Sequence, residues 1–396
     1  MEKLQAYQFR LEPNGKQRKQ LERYAGCCRF VYNRALAKNI EAYKLGEKYP
    51  GKYRMTGCLP SWKVQFPWLK DAPSQALMCS LLNLDKAYKA FWKGGGFPKF
   101  KKKSGKASVH FPQGFKISDS RICLPKLGTI KYRKSKNITG EIRSITVSKQ
   151  ADHWFVSMLT KQEVSAQQHN SSSIIGIDVG VINFVTMSDG TFIKPISAFK
   201  KHAKRLALLQ RRAAKKKKWS ANRKKANAKV TKCFARISNT RKDFLHKIST
   251  TICKNHAIVC IEDLQVANMS RSAAGSIETP GKNVSQKSGL NRSILDQGWS
   301  EFRRQLEYKM AWSGGKVIAV PAQYTSQTCP NCQHCSKSNR QTQAKFECVN
   351  CSYKNNADIV GALNILERGH RLLVCGDRTI RLTKQKPTEE TYAKVA

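Results

Sequence analysis

Residues 348–366 read CVNCSYKNNADIVGALNIL. Two cysteines at metal-ligand spacing run, within seven residues, into an apolar helix built on Ile359, Ala362, Leu363 and Leu366, which recur at helical intervals. The first turn of that helix carries one acid, Asp358. An acid there can simply complement the helix dipole. Its closeness to a cysteine knuckle raises a second reading, in which Asp358 belongs to a site that the knuckle helps to place.

Upstream, Cys329-Pro-Asn-Cys332 pairs with Cys348-Val-Asn-Cys351 to give C-x2-C, fifteen residues, C-x2-C. Each pair can set two thiolates ~2.3 Å from one Zn²⁺, and two pairs complete a tetrahedron. Four thiolates leave no open position for substrate, so the spacing predicts a structural zinc. Cys335 offers an alternative ligand, although the x2 spacing favours Cys332. The other cysteines of the fourteen are scattered singly and read as small buried hydrophobes. The start, MEKLQAYQFR, lacks a long apolar segment, which predicts a chain that is not secreted and a reducing compartment.

Two further acids stand in unusual surroundings. Asp178 ends the run IIGID, and strand alternation puts Gly176, Asp178 and Gly180 on one face. Flanking glycines are expected to leave room for metal ions and a phosphate. Glu262 ends AIVCIE, an apolar run that reads as a central strand buried on both faces. A carboxylate there is costly unless paired or metal-bound. Asp263 is a rival that spacing does not dismiss, whereas Asp189, in Ser-Asp-Gly, reads as a turn residue. With Asp358 these acids point to two-metal phosphodiester chemistry, in which hard oxygen ligands hold two Mg²⁺, with Mn²⁺ as a substitute.

The charge balance names the partner class. The 396 residues hold 73 Lys and Arg against 26 Asp and Glu, a formal charge of +47, and 40% are apolar. A globular chain this basic repels itself unless a polyanion neutralises it. No apolar run approaches the ~20 residues that span a bilayer, so nucleic acid is expected and a membrane is not. Residues 200–247 concentrate nineteen of the cations around a single acid, Asp243, in a pattern that predicts a basic helical hairpin lying on phosphates.

The remaining pattern divides the chain. Leu4 to Leu11 reads as a strand, Leu21 to Ala35 as an amphipathic helix, and Ser74 to Trp92 as another. Between Ala107 and Thr160 short β segments alternate with turns, which predicts a small barrel that the first strand joins. Residues 164–173 form a polar linker. From Ile174 the order is a strand hairpin, helices, strand, helix, strand, knuckles and helix, an α/β layout with a mixed sheet. Residues 268–293, rich in Ser, Gly and Asn, read as a mobile loop, and 376–396 as a disordered tail.

GIDVG (176–180), VCIEDL (259–264) and SQTCPNC…CVNC…NNADIVGALNIL together resemble TnpB, the transposon-associated nucleases with a RuvC-like domain and a zinc ribbon. RFVYNRAL, WLKDAPSQAL, GFPKFKKK and LDQGWSEFRRQLEYK extend the likeness over nearly the whole chain. The resemblance implies a multidomain α/β protein. An RNase H-like (RuvC-like) nuclease domain at 174–320 and 357–375 would hold a zinc ribbon at 321–356. A β-barrel wedge domain at 1–11 and 95–165 would carry a helical recognition module at 12–94.

The family implies an RNA-guided DNA endonuclease that carries a guide RNA from the transposon end and cuts double-stranded target DNA beside a short adjacent motif. A monomer per RNA in a prokaryotic cytoplasm, at the nucleoid, is expected. The RuvC-like triad falls on Asp178, Glu262 and Asp358, which selects Glu262 over Asp263, and the 268–293 segment corresponds to one covering the active site. Two departures stand out: NNAD replaces the basic residue that many relatives carry just before the third acid, and Cys335 stands where many have glycine. Two alternatives compete: a non-catalytic nucleic-acid-binding regulator of transposition, and a guide-independent metal nuclease or transposase.

Overall fold

A computed structural model describes residues 2–103, 107–165 and 167–374. The expected tail, 376–396, lies outside them. The chain divides into two compact units, Met1–Ser165 and Ala166–Ala396.

The first unit opens with strand β1 (Glu2–Glu12) and helix α1 (Gly15–Lys44). Asn14 starts the helix: its side chain accepts from the Gln17 backbone at 2.8 Å, and the Gln17 side chain accepts from the Asn14 backbone at 3.1 Å. This reciprocal pair satisfies two donors that a helix start leaves open. Helices α2 (Gly51–Gly57), α3 (Leu59–Gln65) and α4 (Ser74–Trp92) follow. Then come β2 (Ser108–Phe111), β3 (Lys116–Ser118), β4 (Arg121–Leu124), β5 (Gly128–Arg133), β6 (Glu141–Gln150) and β7 (His153–Glu163).

These strands make one antiparallel sheet in the order β2-β6-β7-β1-β5-β4-β3. β1 joins the sheet, as expected, and lies at its centre, but the sheet does not close into the barrel that the turn spacing suggested. Its edges, β2 and β3, are short, of four and three residues, and do not pair with each other. Helices α1 and α4 pack against β2 instead. One continuous core runs through both layers, from Leu21, Val31, Leu77 and Leu84 of the helices to Phe9, Val109, Tyr132 and Val156 of the sheet. The helical layer thus covers the apolar face that closure would have buried.

The second unit contains β8 (Ile174–Asp178), β9 (Val185–Met187), β10 (Phe192–Ile193), α5 (Ala198–Ala214), α6 (Ala221–Asn255) and β11 (Ile258–Glu262). It continues with α7 (Val266–Met269), α8 (Val284–Gln297), α9 (Trp299–Ser313), β12 (Lys316–Val320), β13 (Lys345–Glu347), β14 (Lys354–Asn356) and α10 (Ala357–Val374). The main sheet runs β10-β9-β8-β11-β12, with β8, β11 and β12 parallel and the β8-β9-β10 meander antiparallel. Residues 188–190 form the expected turn of its hairpin, where Asp189 accepts from the Thr191 backbone at 2.9 Å.

Alternation along the central strands sorts the two faces. Ile175, Ile177, Val259 and Ile261 pack with Leu245, Ile252, Phe302, Leu306 and Met310 of α6 and α9. Cys260 faces the other way, into a smaller core with Ile318, Val320 and Ile365 of α10. The sheet is therefore sandwiched between α6 and α9 on one side and α10 on the other. Helix α8 corrects the expectation of a loop throughout 268–293. Polar contacts hold it that periodicity does not register: Lys287 Nζ donates to the Met269 carbonyl at 2.7 Å, and Asn291 Nδ2 donates to the carbonyls of Ser270 and Arg271 at 3.1 and 3.0 Å.

Candidate active site and zinc centre

Glu262 ends β11, and Asp178 ends the neighbouring parallel strand β8, whose Ile177 lies level with Ile261. Both acids share the face of Gly176 and Cys260, the face that α10 crosses. The absent side chain at Gly176 is what allows the crossing. A Cβ there would meet the Ala362 carbonyl and lie 2.8 Å from Leu366 Cβ. The sequence reading gave this space to metal ions and phosphate; it belongs to the helix. Likewise a Cβ at Gly180 would sit 2.8 Å from the Asn183 carbonyl. The close crossing brings Asp358, in the first turn of α10, to the same strand ends.

The electrostatics record the convergence. Burial, then the negative charges of Glu262 and Asp358, push the Asp178 carboxyl up to about 7, while Arg340 and a backbone hydrogen bond at Val179 act in the opposite sense. Burial also raises Glu262, opposed by the Thr325 hydroxyl and the charge of Arg368. At Asp178 burial and the two neighbouring negative charges disfavour the ionised form, and at Glu262 burial does so. A cleft of about 270 Å³ opens beside Glu262, lined by Val179, Leu264, Trp299 and Arg303 among others.

Neighbours fix each carboxylate. The Thr325 hydroxyl donates to Glu262 Oε1 at 2.6 Å. Asn183 Nδ2 donates to Asp358 Oδ2 at 3.1 Å, and Lys194 Nζ donates to Asn183 Oδ1 at 3.0 Å. The ammonium can meet only the oxygen end of that amide, so Lys194 turns the NH₂ end towards Asp358. Arg340 Nη2 lies 3.6 Å from Asp358 Oδ1. Gly361 stands one turn into α10, where a Cβ would be 3.0 Å from Asp178 Oδ2. None of these five residues was picked out from the sequence. Gly361, an isolated glycine within a helical pattern, carried a usable signal; the others depend on contacts between distant segments. Asp263, the rival to Glu262, pairs instead with Arg303.

The cysteine cluster sits beside this site. Among the described residues, Cys329, Cys332, Cys348 and Cys351 bring four ligand atoms within 4.8 Å of one another, and Cys335 is not among them. Cys329 Sγ to Cys351 Sγ and Cys332 Sγ to Cys348 Sγ are both 3.6 Å. A tetrahedron with Zn–S bonds of ~2.3 Å has edges of ~3.8 Å, so the residues fit zinc. The amides of Asn331 and Asn350 point at Cys351 and Cys332 at 3.7 and 3.6 Å.

The cluster and α10 are built together. Cys329, Phe346 and Cys348 share a small core with Ala357 and Val360 of the helix. The Ala357 backbone donates to the Ala344 carbonyl at 2.9 Å, and Asn356 caps the helix by accepting from the Asp358 backbone at 2.9 Å. Asn364 Nδ2 reaches back to the carbonyls of Thr325 and Thr328, both at 2.7 Å. The stretch NNAD thus supplies a helix cap, and Ala357 is fully buried in the shared core.

Three family models match the chain: "Helix-turn-helix domain" of OrfB_IS605 at residues 1–48, "Probable transposase" OrfB_IS605 at 157–273, and the "Cas12f1-like, TNB domain" at 299–365. In the structure the first stretch is mainly one strand and one long helix. The chain is 49% identical over 400 residues to "Putative RNA-guided DNA endonuclease InsQ" of Escherichia coli K12, covering 99% of this chain and all of that one. A "Putative RNA-guided DNA endonuclease" of Streptomyces pristinaespiralis is 31% identical, with 94% of this chain and 91% of that one covered. The "Cryo-EM structure of the Cas12f1-sgRNA-target DNA complex" matches 92% of this chain and 99% of that chain at 17% identity, with a TM-score of 0.35. The end-to-end likeness to InsQ decides the matter, and the chain belongs to the TnpB (IS605 OrfB) family.

Proposed function

We propose that this protein is an RNA-guided DNA endonuclease that hydrolyses phosphodiester bonds at Asp178, Glu262 and Asp358. The observation that carries the reading is the gathering of these three acids, from segments far apart in sequence, at the ends of two parallel strands beneath one helix. A sheet ordered third, second, first, fourth, fifth, with a leading antiparallel meander, supports an RNase H-like, RuvC-like assignment for this domain. The names of the relatives support RNA guidance. The wedge role of the N-terminal sheet and the recognition role of its helical layer are part of the same proposal.

Mg²⁺ held by the three carboxylates, with Mn²⁺ as a substitute, would supply the positive charge that activates water and stabilises the departing 3′ oxygen. The chain's own residues prepare that site. Burial and mutual repulsion keep Asp178 near the border of ionisation until a cation arrives. Thr325 and the Lys194–Asn183 pair occupy one oxygen each of Glu262 and Asp358 and so set the direction of the remaining lone pairs. The zinc-ready cluster fixes the start of α10 and leaves its own ligand atoms without an open position, a structural role.

The test is cleavage of a target duplex by protein purified with its co-bound RNA. Asp178→Ala, Glu262→Ala and Asp358→Ala should each abolish cutting and leave RNA binding intact. Equal cutting after removal of the RNA would make the protein a guide-independent nuclease. Binding without cutting in both Mg²⁺ and Mn²⁺ would make it a non-catalytic regulator.

A further inference from the structure

Helices α5 and α6 pair through a small core of their own, Ala198, Leu206, Cys233 and Ile237, and turn through the stretch KKKKWS at residues 215–220. The Ser220 backbone donates to the Lys217 carbonyl at 3.2 Å, closing a β-turn with Lys218 and Trp219 at its centre. Trp219 has φ of 71°. A positive φ at the third position of a turn calls for glycine or asparagine, and a bulky residue there is an outlier. The turn is held in that shape from outside it. The Ser220 hydroxyl caps α6 by accepting from the Arg223 backbone at 3.1 Å, and Arg223 Nη1 donates to the Lys216 carbonyl at 3.0 Å.

The strained residue contributes nothing to the core. Trp219 is 81% exposed, the most of the chain's seven tryptophans. The ammonium of the neighbouring Lys218 stands over its ring, 5.8 Å from the centroid. Four lysines precede it, and Arg223, Lys224 and Lys225 follow, with no acid between. Retaining a strained, solvated indole at the tip of a basic hairpin makes sense if a partner uses the ring. The surrounding cations select a polyanion, and one flat aromatic matches a single flat base rather than an apolar protein groove. A base inside a duplex already has both faces stacked, so the base in question is unpaired.

We propose that Trp219 is a stacking platform for an unpaired base of single-stranded nucleic acid, while the flanking lysines neutralise the adjoining phosphates. The inference rests on the nucleic-acid reading above but adds a contact that the nuclease site does not require. Each base stacked on an aromatic residue typically strengthens binding ~5- to 100-fold.

The experiment compares the full chain, freed of RNA, with Trp219→Ala, Trp219→Gly and Trp219→Phe. The probes are labelled 20-nucleotide strands of mixed-sequence RNA, the same sequence in DNA, a base-free DNA strand of equal length, the DNA duplex, and phosphatidylserine vesicles. The alanine and glycine variants should bind a single strand roughly 5- to 100-fold more weakly than the parent, and phenylalanine should largely restore it. The difference should vanish on the base-free strand, and binding should quench the parent's fluorescence more than that of Trp219→Phe. Glycine suits the backbone at this position, so its melting temperature should not fall, which separates lost stacking from lost folding. The strand that shows the larger loss, RNA or DNA, identifies the source of the base. The inference is overturned if all variants bind the strands alike, if the loss is as large on the base-free strand or the duplex, or if only vesicle binding depends on Trp219. A parent that binds no nucleic acid at all would overturn the functional reading as well.

Discussion

Gly361→Ala separates stability from activity. The new Cβ would stand 3.0 Å from Asp178 Oδ2, against the 3.4 Å at which ordinary contact begins, so the carboxylate or the helix must yield by about 0.4 Å. A displacement of ~1 Å can cost ~100-fold, so one of about 0.4 Å should lower cleavage by about tenfold. Stability should move the other way. Alanine is favoured over glycine within a helix by ~1 kcal/mol, which in a unit of this size raises Tm by ~2–4 °C, less whatever the contact costs. The assay is single-turnover cleavage of a target duplex at saturating Mg²⁺, with a thermal melt of the same preparation. A variant that cuts within about twofold of the parent would refute the claim that Asp178 must lie this close to α10.

Three further outcomes follow from the same geometry. Lys194→Met frees the Asn183 amide to turn away from Asp358, and cleavage should drop by roughly 10-fold with Tm little changed, as for residues that orient a metal ligand; unchanged cutting across a Mg²⁺ titration would sink the idea. Cys348→Ser should lose zinc, measured with a colorimetric chelator, and lose cleavage with it while RNA binding survives; full cutting without zinc would show that the cluster does not place Asp358.

For Asp178, a folded value of about 7 against an ordinary 3.8 means that the metal-free fold holds a proton which the unfolded chain has released. Its contribution to stability is therefore present below pH 3.8 and is lost as pH rises to about 7, by at most ~4 kcal/mol. Metal-free protein should melt lower at pH 8 than at pH 5, Asp178→Asn should flatten that difference, and Mg²⁺ should restore stability at pH 8. Melting curves that Asp178→Asn leaves unchanged in slope would contradict it.

Much of this fold can be read from the chain, because its central strands and helices bury alternating or helically spaced residues. AIVCIED announced a central strand, and the structure puts β11 between β8 and β12. The hairpin of α5 and α6 and the helix from Ser74 to Trp92 were legible for the same reason. The open edge of the N-terminal sheet was not. Turn spacing reports strand number, whereas closure depends on what packs against the face, here α1 and α4. The four cysteines were legible because ligand spacing is local, and the structure leaves Cys335 outside the cluster. The three acids were found as candidates, and the structure gathers them. Their orientation was hidden, since Asn183, Lys194, Thr325 and Arg340 act through contacts that no sequence period encodes. Gly176 was noticed for the wrong reason: its space admits a helix.

The crossing of α10 over β8 also bears on synthesis. The first strand of the second unit is covered by the last helix among the described residues, so a ribosome must make some 180 residues after Asp178 before Asp358 exists to join it. Until then the sheet keeps one face uncovered, and the groups proposed for cutting remain incomplete. A chain released between residues 263 and 357 holds the basic hairpin and the strands β8 and β11 and still carries no complete set of carboxylates. The order of elements along the chain thus makes nuclease competence a late property of the nascent protein.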